Sequence, residues 1–179
     1  MIRVSVVQLV GHEMFYEMCV LLIFPFCLIY AGITDVLSFT ISNKISGVLV
    51  AFFFLLAPFS GLSFAEIGIH ILVGFVALLI GFVLFAAGYL GGGDVKIIAA
   101  IGLWLGFDHL GDFLVYTTLF GGALSLMVLY LRKTPLPVWL ADHRWLVNMQ
   151  TGQGAVPYGI AIGLAGLSVY PASHWLGLG

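Results

Sequence analysis

Along this chain the apolar residues do not alternate with polar ones, and their runs are apolar on every face. They collect in six runs, at about residues 14–34, 45–60, 66–89, 95–110, 111–131 and 156–176. A membrane-crossing helix needs roughly 20 such residues. Charge and turn chemistry fall together in the gaps. These are Thr34-Asp35 to Asn43-Lys44, Ser60-Gly61, Gly91-Gly92-Gly93-Asp94, Asp108 to Asp112, and Arg132 to Gly154. A transmembrane barrel requires repeated segments of about ten residues alternating apolar and polar, which these runs are not. In lipid every backbone polar group must be satisfied internally, so the pattern predicts a helical bundle. The expected fold is all-α: six transmembrane helices in a single domain over residues 1–179. The first run is too long for the apolar core of a signal peptide and no small-x-small site follows it, so it reads as a retained helix.

The gap before the last run predicts a further element. Pro135, Pro137, Trp139 and Trp145 stand among Leu136, Leu140 and Leu146. Indoles at headgroup level suit an interfacial helix lying on the membrane face. Small residues suggest where helices meet: Gly74, Gly81 and Gly88, with Ala77 near the same face, and the pair Gly159 and Gly163. In lipid such residues let backbones approach closely.

Composition sharpens the class. The chain is 62% hydrophobic and 8% charged, against roughly 25% charged in soluble domains. That excludes a soluble enzyme, a disordered tail and a nucleic-acid binder, so the surroundings are the lipid bilayer. Cys19 and Cys27 share one apolar run, which gives no disulfide framework, and a four-cysteine zinc site is excluded by count. With six spans, Lys44, Lys96, Arg132, Lys133 and Arg144 fall on one side and Arg3 on the other. The basic side is cytoplasmic by the positive-inside rule, which leaves both termini outside. Asp35, Asp94 and Asp142 then share the cytoplasmic side, while Glu13, Glu66, Asp108 and Asp112 lie opposite.

Few residues near the bilayer can do acid–base work. Asp35 follows the first run and Asp94 opens the fourth. Ionisable groups at the edge of hydrocarbon are costly and therefore functional candidates. The plain alternatives are an ordinary loop acid at Asp35 and a helix cap at Asp94 after a tight glycine turn. The fourth run holds about 16 residues, roughly 24 Å of helix against a core near 30 Å. So short a helix draws its flanks inward and sets Asp94 below the headgroups. Gly91, Gly92 and Gly93 leave the adjoining backbone uncovered for an extended peptide. Two carboxylates facing each other and sharing a proton are the working unit of aspartic peptidases. Lys96 is either a cation supporting Asp94 or a topogenic lysine. The other polar groups read as ordinary. His109, Asp108 and Asp112 form a solvated outer turn, His70 and His174 sit near outer helix ends, and His143 beside Asp142 is remote in sequence from either acid. Glu17 reaches toward headgroups or a neighbouring helix. No Ser/His or Cys/His pair sits at matched depth, so an intramembrane serine or cysteine peptidase is rejected. No metal or other cofactor is expected.

The run Gly91-Gly92-Gly93-Asp94-Val95-Lys96, continued by Ile97-Ile98-Ala99-Ala100 and Leu103-Trp104-Leu105-Gly106, resembles the G-x-G-D signature of type IV prepilin peptidases. Asp35 to Lys44 is similar to that family's first aspartate motif, an Asp followed by Ile-Pro-Asn, and Val156-Pro157-Tyr158-Gly159 to its Pro-Tyr-Gly entry. Three motifs in the right order span the first run to the last. The resemblance is closest to short members serving tight-adherence (Flp-type) pili. Ser42 stands where the family has proline, and the four-cysteine methylation region of long members has no counterpart.

The resemblance implies a membrane aspartic endopeptidase that cleaves prepilin or prepseudopilin leaders at the cytoplasmic face of the inner membrane. Asp35 and Asp94 would be its catalytic pair, with Gly91, Gly92, Gly93, Lys96 and Asn43 in binding or supporting roles. Two alternatives stay open: a related G-x-G-D peptidase for another membrane-anchored substrate, and a non-enzymatic transport or assembly component.

Overall fold

The computed structural model describes residues 2–134, 144–151 and 156–176. It runs α1 (Ile2–Ser38), α2 (Asn43–Leu56), α3 (Phe64–Ala86), α4 (Gly92–Lys133), α5 (Arg144–Thr151) and α6 (Tyr158–Val169). Short 3₁₀ turns follow α2 and α6. Among the described residues there is no strand. Met14–Ser38, Phe64–Ala86 and Gly92–Lys133 are long and apolar enough to cross a membrane, and Asn43–Phe59 and Tyr158–Ala172 are shorter apolar helices. Large apolar side chains such as Phe26, Phe75, Phe82 and Leu126 face outward, as they do where lipid is the solvent.

The fourth and fifth runs are one element divided at Gly106, whose backbone is non-helical at φ 66 and ψ −168. A straight helix would carry Ser125 about 45 Å beyond Asp94. Instead Ser125 bonds Tyr158, the neighbour of Gly159, which lies on Asp35 and Ile41. Ile41 in turn packs on Gly93. The chain therefore doubles back at Gly106, not over Asp108 to Asp112 as expected. The reason is conformational: only glycine readily takes that φ/ψ combination. Asp108 and Asp112 lie in the opening turns of the second half of α4, where the helix dipole favours acids.

The reversal frees carbonyls at the end of the first half, and side chains meet them. His70 Nδ1 lies 2.8 Å from Leu103 O, and Trp175 Nε1 donates to Trp104 O at 2.6 Å. From Val95 to Leu105 every residue except Lys96 and Ile98 is buried, so this half is the central post of the bundle. Trp104 anchors it, donating to Leu49 O at 2.9 Å and packing among Phe24, Phe53, Tyr170 and Trp175.

Other expectations shift at the ends. α1 continues through Ser38, so Asp35 sits inside its last turns. α3 stops at Ala86. Gly74 and Gly81 abut Leu103 and Val95 as the small-residue stripe predicts, whereas Gly88 lies beyond the helix at φ 79 with open space around it. Gly163 meets the Leu28 carbonyl of α1. α5 is tied to the end of α4 by Arg132 Nε donating to Met149 O at 3.1 Å and by Gln150 Nε2 donating to Thr134 O. Trp145 belongs to α5, while Pro135, Leu136, Pro137, Trp139, Leu140, Asp142 and His143 lie outside the described residues.

Candidate active site

Three helix ends meet at the end of the bundle opposite the Trp104 cluster: the close of α1 and the starts of α4 and α6. Asp35 is only 5% exposed there. Its own carbonyl accepts from Phe39 N at 2.7 Å, and Phe39 takes a left-handed conformation at φ 55. A non-glycine residue there costs roughly 1–2 kcal/mol. The turn brings Ile41, 8% exposed, into the seam between α4 and α6. A methyl group on Gly93 would stand 3.1 Å from Ile41 O, and one on Gly159 2.9 Å from Ile41 Cδ1 and 2.8 Å from Asp35 Cβ. Both positions are glycine because another backbone or the acid itself occupies the space.

The start of α6 grips Asp35. Gly159 N–H, one of the donors a helix leaves unpaired at its N-terminus, donates to Asp35 Oδ2 at 2.7 Å. Tyr158 fixes that start, its hydroxyl 2.9 Å from Ser125 Oγ and its ring against Gly121. One oxygen of Asp35 is thus held by backbone.

Asp94 is the third residue of α4, and Gly91 occupies the cap in extended conformation. The Asp94 carboxylate turns back toward Gly91, where an added methyl would stand 2.9 Å from its Oδ2, and lies within electrostatic reach of Asp35. The cap position that the sequence offers to Asp94 is thus held by Gly91, and Asp94 stands inside the first turn. Gly92 meets the Phe85 ring at 3.4 Å and Gly93 is covered by Ile41, so of the three glycines Gly91 lies most open.

Lys96 donates to Asn43 Oδ1 at 2.9 Å, which links the first turn of α4 to the start of α2. Its ammonium goes to Asn43, on another helix from Asp94. Ser42 caps α2 and accepts from Lys44 N at 3.3 Å, with φ at −66. Proline fixes φ near this value, so serine keeps the backbone course that proline imposes elsewhere.

A family model described as the type IV leader peptidase family matches residues 22–126, more than half of the chain. The chain belongs to the type IV leader peptidase family. Neither a curated protein nor a solved structure matches it. Membership makes this a membrane peptidase acting on a peptide substrate, and the matched span holds Asp35, Asn43, Gly91 to Asp94 and Lys96. The grip on Asp35 lies beyond it, in α6.

Ile41 and Gly159 pack at the acids, and Ser125 holds Tyr158 beside them; sequence reasoning gave none of the four a part in the site itself. Pro157-Tyr158-Gly159 carried a signal as a motif, although nothing in it names a partner 124 residues away. Ser125 carried none. Chemically, two carboxylates within electrostatic reach at one end of an apolar bundle favour a single ionisation, which supplies one base and one acid. Among the described residues no three His, Cys, Asp or Glu side chains converge as metal ligands do.

Proposed function

We propose that this leader peptidase is an aspartic endopeptidase that removes the leader of type IV, Flp-like prepilins or prepseudopilins at the cytoplasmic face of the inner membrane. Asp35 and Asp94 are its catalytic pair. The observation that carries the reading is that these two acids, 59 positions apart in the sequence, lie within electrostatic reach of each other where α1, α4 and α6 end or begin. The ionised carboxylate takes a proton from a water, whose oxygen adds to the scissile carbonyl carbon. The protonated carboxyl gives its proton to the carbonyl oxygen as charge develops there. Collapse of the tetrahedral species breaks the C–N bond as the proton first taken from water passes to the leaving amine and a hydroxyl of that species returns a proton to the other carboxylate. The leader leaves with a new carboxylate, and the pilin with a new amino terminus.

In this reading Gly91 to Gly93, Lys96 and Asn43 shape the approach to the acids. All six apolar segments cross the membrane as one domain, and both termini lie outside. α5 rests on the cytoplasmic surface, where Trp145 meets the headgroups.

Co-expression with a candidate Flp-type prepilin tests the assignment. A faster-migrating pilin, with a new N-terminus at the border of its basic leader and apolar helix, is expected. An unshifted prepilin beside a shifted unrelated membrane substrate would contradict it.

A further inference from the structure

On the α4 face turned about 200° from Asp94, a second feature opens between α2, α3 and the first half of α4. It is a groove of about 530 Å³, apolar over most of its wall, with Lys96 and Asn43 at one end and Gly47, Phe54 and Phe75 along its length. The polar end coincides with the start of α2, where helical N–H groups favour an anion. Ser46, 8% exposed and on the groove wall, has a buried hydroxyl without a hydrogen-bond partner among the described residues. A cation and a helix start thus stand at the head of an apolar slot.

Dimensions decide what enters it. The lining runs from Asn43 to Phe54 on α2 and from Lys96 to Leu103 on α4, roughly 10–16 Å of helix at 1.5 Å per residue. The groove is open along one side, its wall is mostly apolar and its one charged lining residue is Lys96. It accepts an extended hydrocarbon chain of that length with an anionic head at the cation.

We infer that this groove is a binding site for an anionic phospholipid, with one acyl chain along α2 and α4 and the phosphate at Lys96 and the start of α2. The site shares Lys96 and Asn43 with the approach to the acids, but its test reads no cleavage. Native mass spectrometry of the delipidated protein, given equal phosphatidylglycerol and phosphatidylcholine with identical chains, should show one bound phosphatidylglycerol. The preference should be about fivefold, the worth of one basic residue at an anionic headgroup. Lys96→Met should abolish the preference, while Lys96→Arg keeps it and reports on folding. Lys44→Met, exposed nearby but outside the groove, should keep it too. A methyl on Gly47 meets nothing within 4 Å, so Gly47→Leu should fill the slot and remove the adduct of either lipid. A phosphatidylglycerol adduct unchanged in both Lys96→Met and Gly47→Leu, or lost equally in Lys44→Met, would overturn the site. So would displacement of the lipid by an apolar pilin peptide, which would give the groove to the substrate.

Discussion

Replacing Gly159 with alanine tests how much of the chemistry depends on the start of α6. The added methyl would stand 2.8 Å from Asp35 Cβ and 2.9 Å from both Asp35 Oδ2 and Ile41 Cδ1. Carbon contacts settle near 3.5–4.0 Å, so Asp35 or α6 must yield by about 1 Å. That shift also stretches the 2.7 Å bond from Gly159 N–H to Asp35 Oδ2. A misplacement of this size costs roughly 100-fold in rate, equivalent to about 2.7 kcal/mol of barrier. Overpacking adds about 1–3 kcal/mol of lost stability. Gly163→Ala is the control, because its methyl would meet the Leu28 carbonyl at 3.0 Å in the same helix pair without touching an acid. The assay is steady-state cleavage of a purified prepilin in proteoliposomes, with thermal unfolding of both variants. We expect Gly159→Ala to lose kcat at nearly constant KM and Gly163→Ala to lose stability alone. Gly159→Ala with kcat within threefold of wild type, or Gly163→Ala with an equal kcat loss, would refute the argument.

Three further outcomes follow from the same geometry. Gly93→Ala, crowding the Ile41 backbone at 3.1 Å, should destabilise by about 1–3 kcal/mol and slow cleavage, whereas Gly92→Ala meets only the Phe85 ring and should be milder in both assays. Gly106→Ala combines the strain of φ 66 with a methyl 2.7 Å from the His70 ring, and should lower stability by about 3 kcal/mol or more, read as lost folded protein in detergent. A cysteine introduced by Gly179→Cys should react with an impermeant thiol reagent only from outside the cell, and labelling only from the cytoplasm would reverse the topology.

Much of this molecule is legible in its apolar runs, because lipid imposes helices on any segment that must hide its own backbone. Each of the six runs is helical, and the small-residue positions Gly74, Gly81, Gly159 and Gly163 lie at helix contacts. The boundary between the fourth and fifth runs is less legible. Charge at Asp108 and Asp112 marks a polar surface, while the reversal is set by the φ of Gly106, which composition does not express. Asp35 has a similar history: the polar residues around it suggest a loop, yet Thr34 and Ser38 bond back to Tyr30 and Thr34 carbonyls and continue the helix. Both acids stand out in sequence because so few charges exist here. Their neighbours do not. The Lys96–Asn43 bond spans 53 residues and the Tyr158–Ser125 bond 33, so each is a product of helix packing with no local pattern to announce it.

The central claim is that two carboxylates, and no other acid, perform the cleavage. The most direct test measures purified Asp35→Asn and Asp94→Asn against Asp108→Asn and Asp112→Asn on one prepilin in proteoliposomes. Each of the first two should lose at least about 100-fold in kcat, as removal of a general acid or base does, with unfolding temperatures close to wild type. The two outer substitutions should cleave nearly as fast as the unaltered protein. Near-normal cleavage by either Asp35→Asn or Asp94→Asn in a folded protein would contradict the paired-aspartate account.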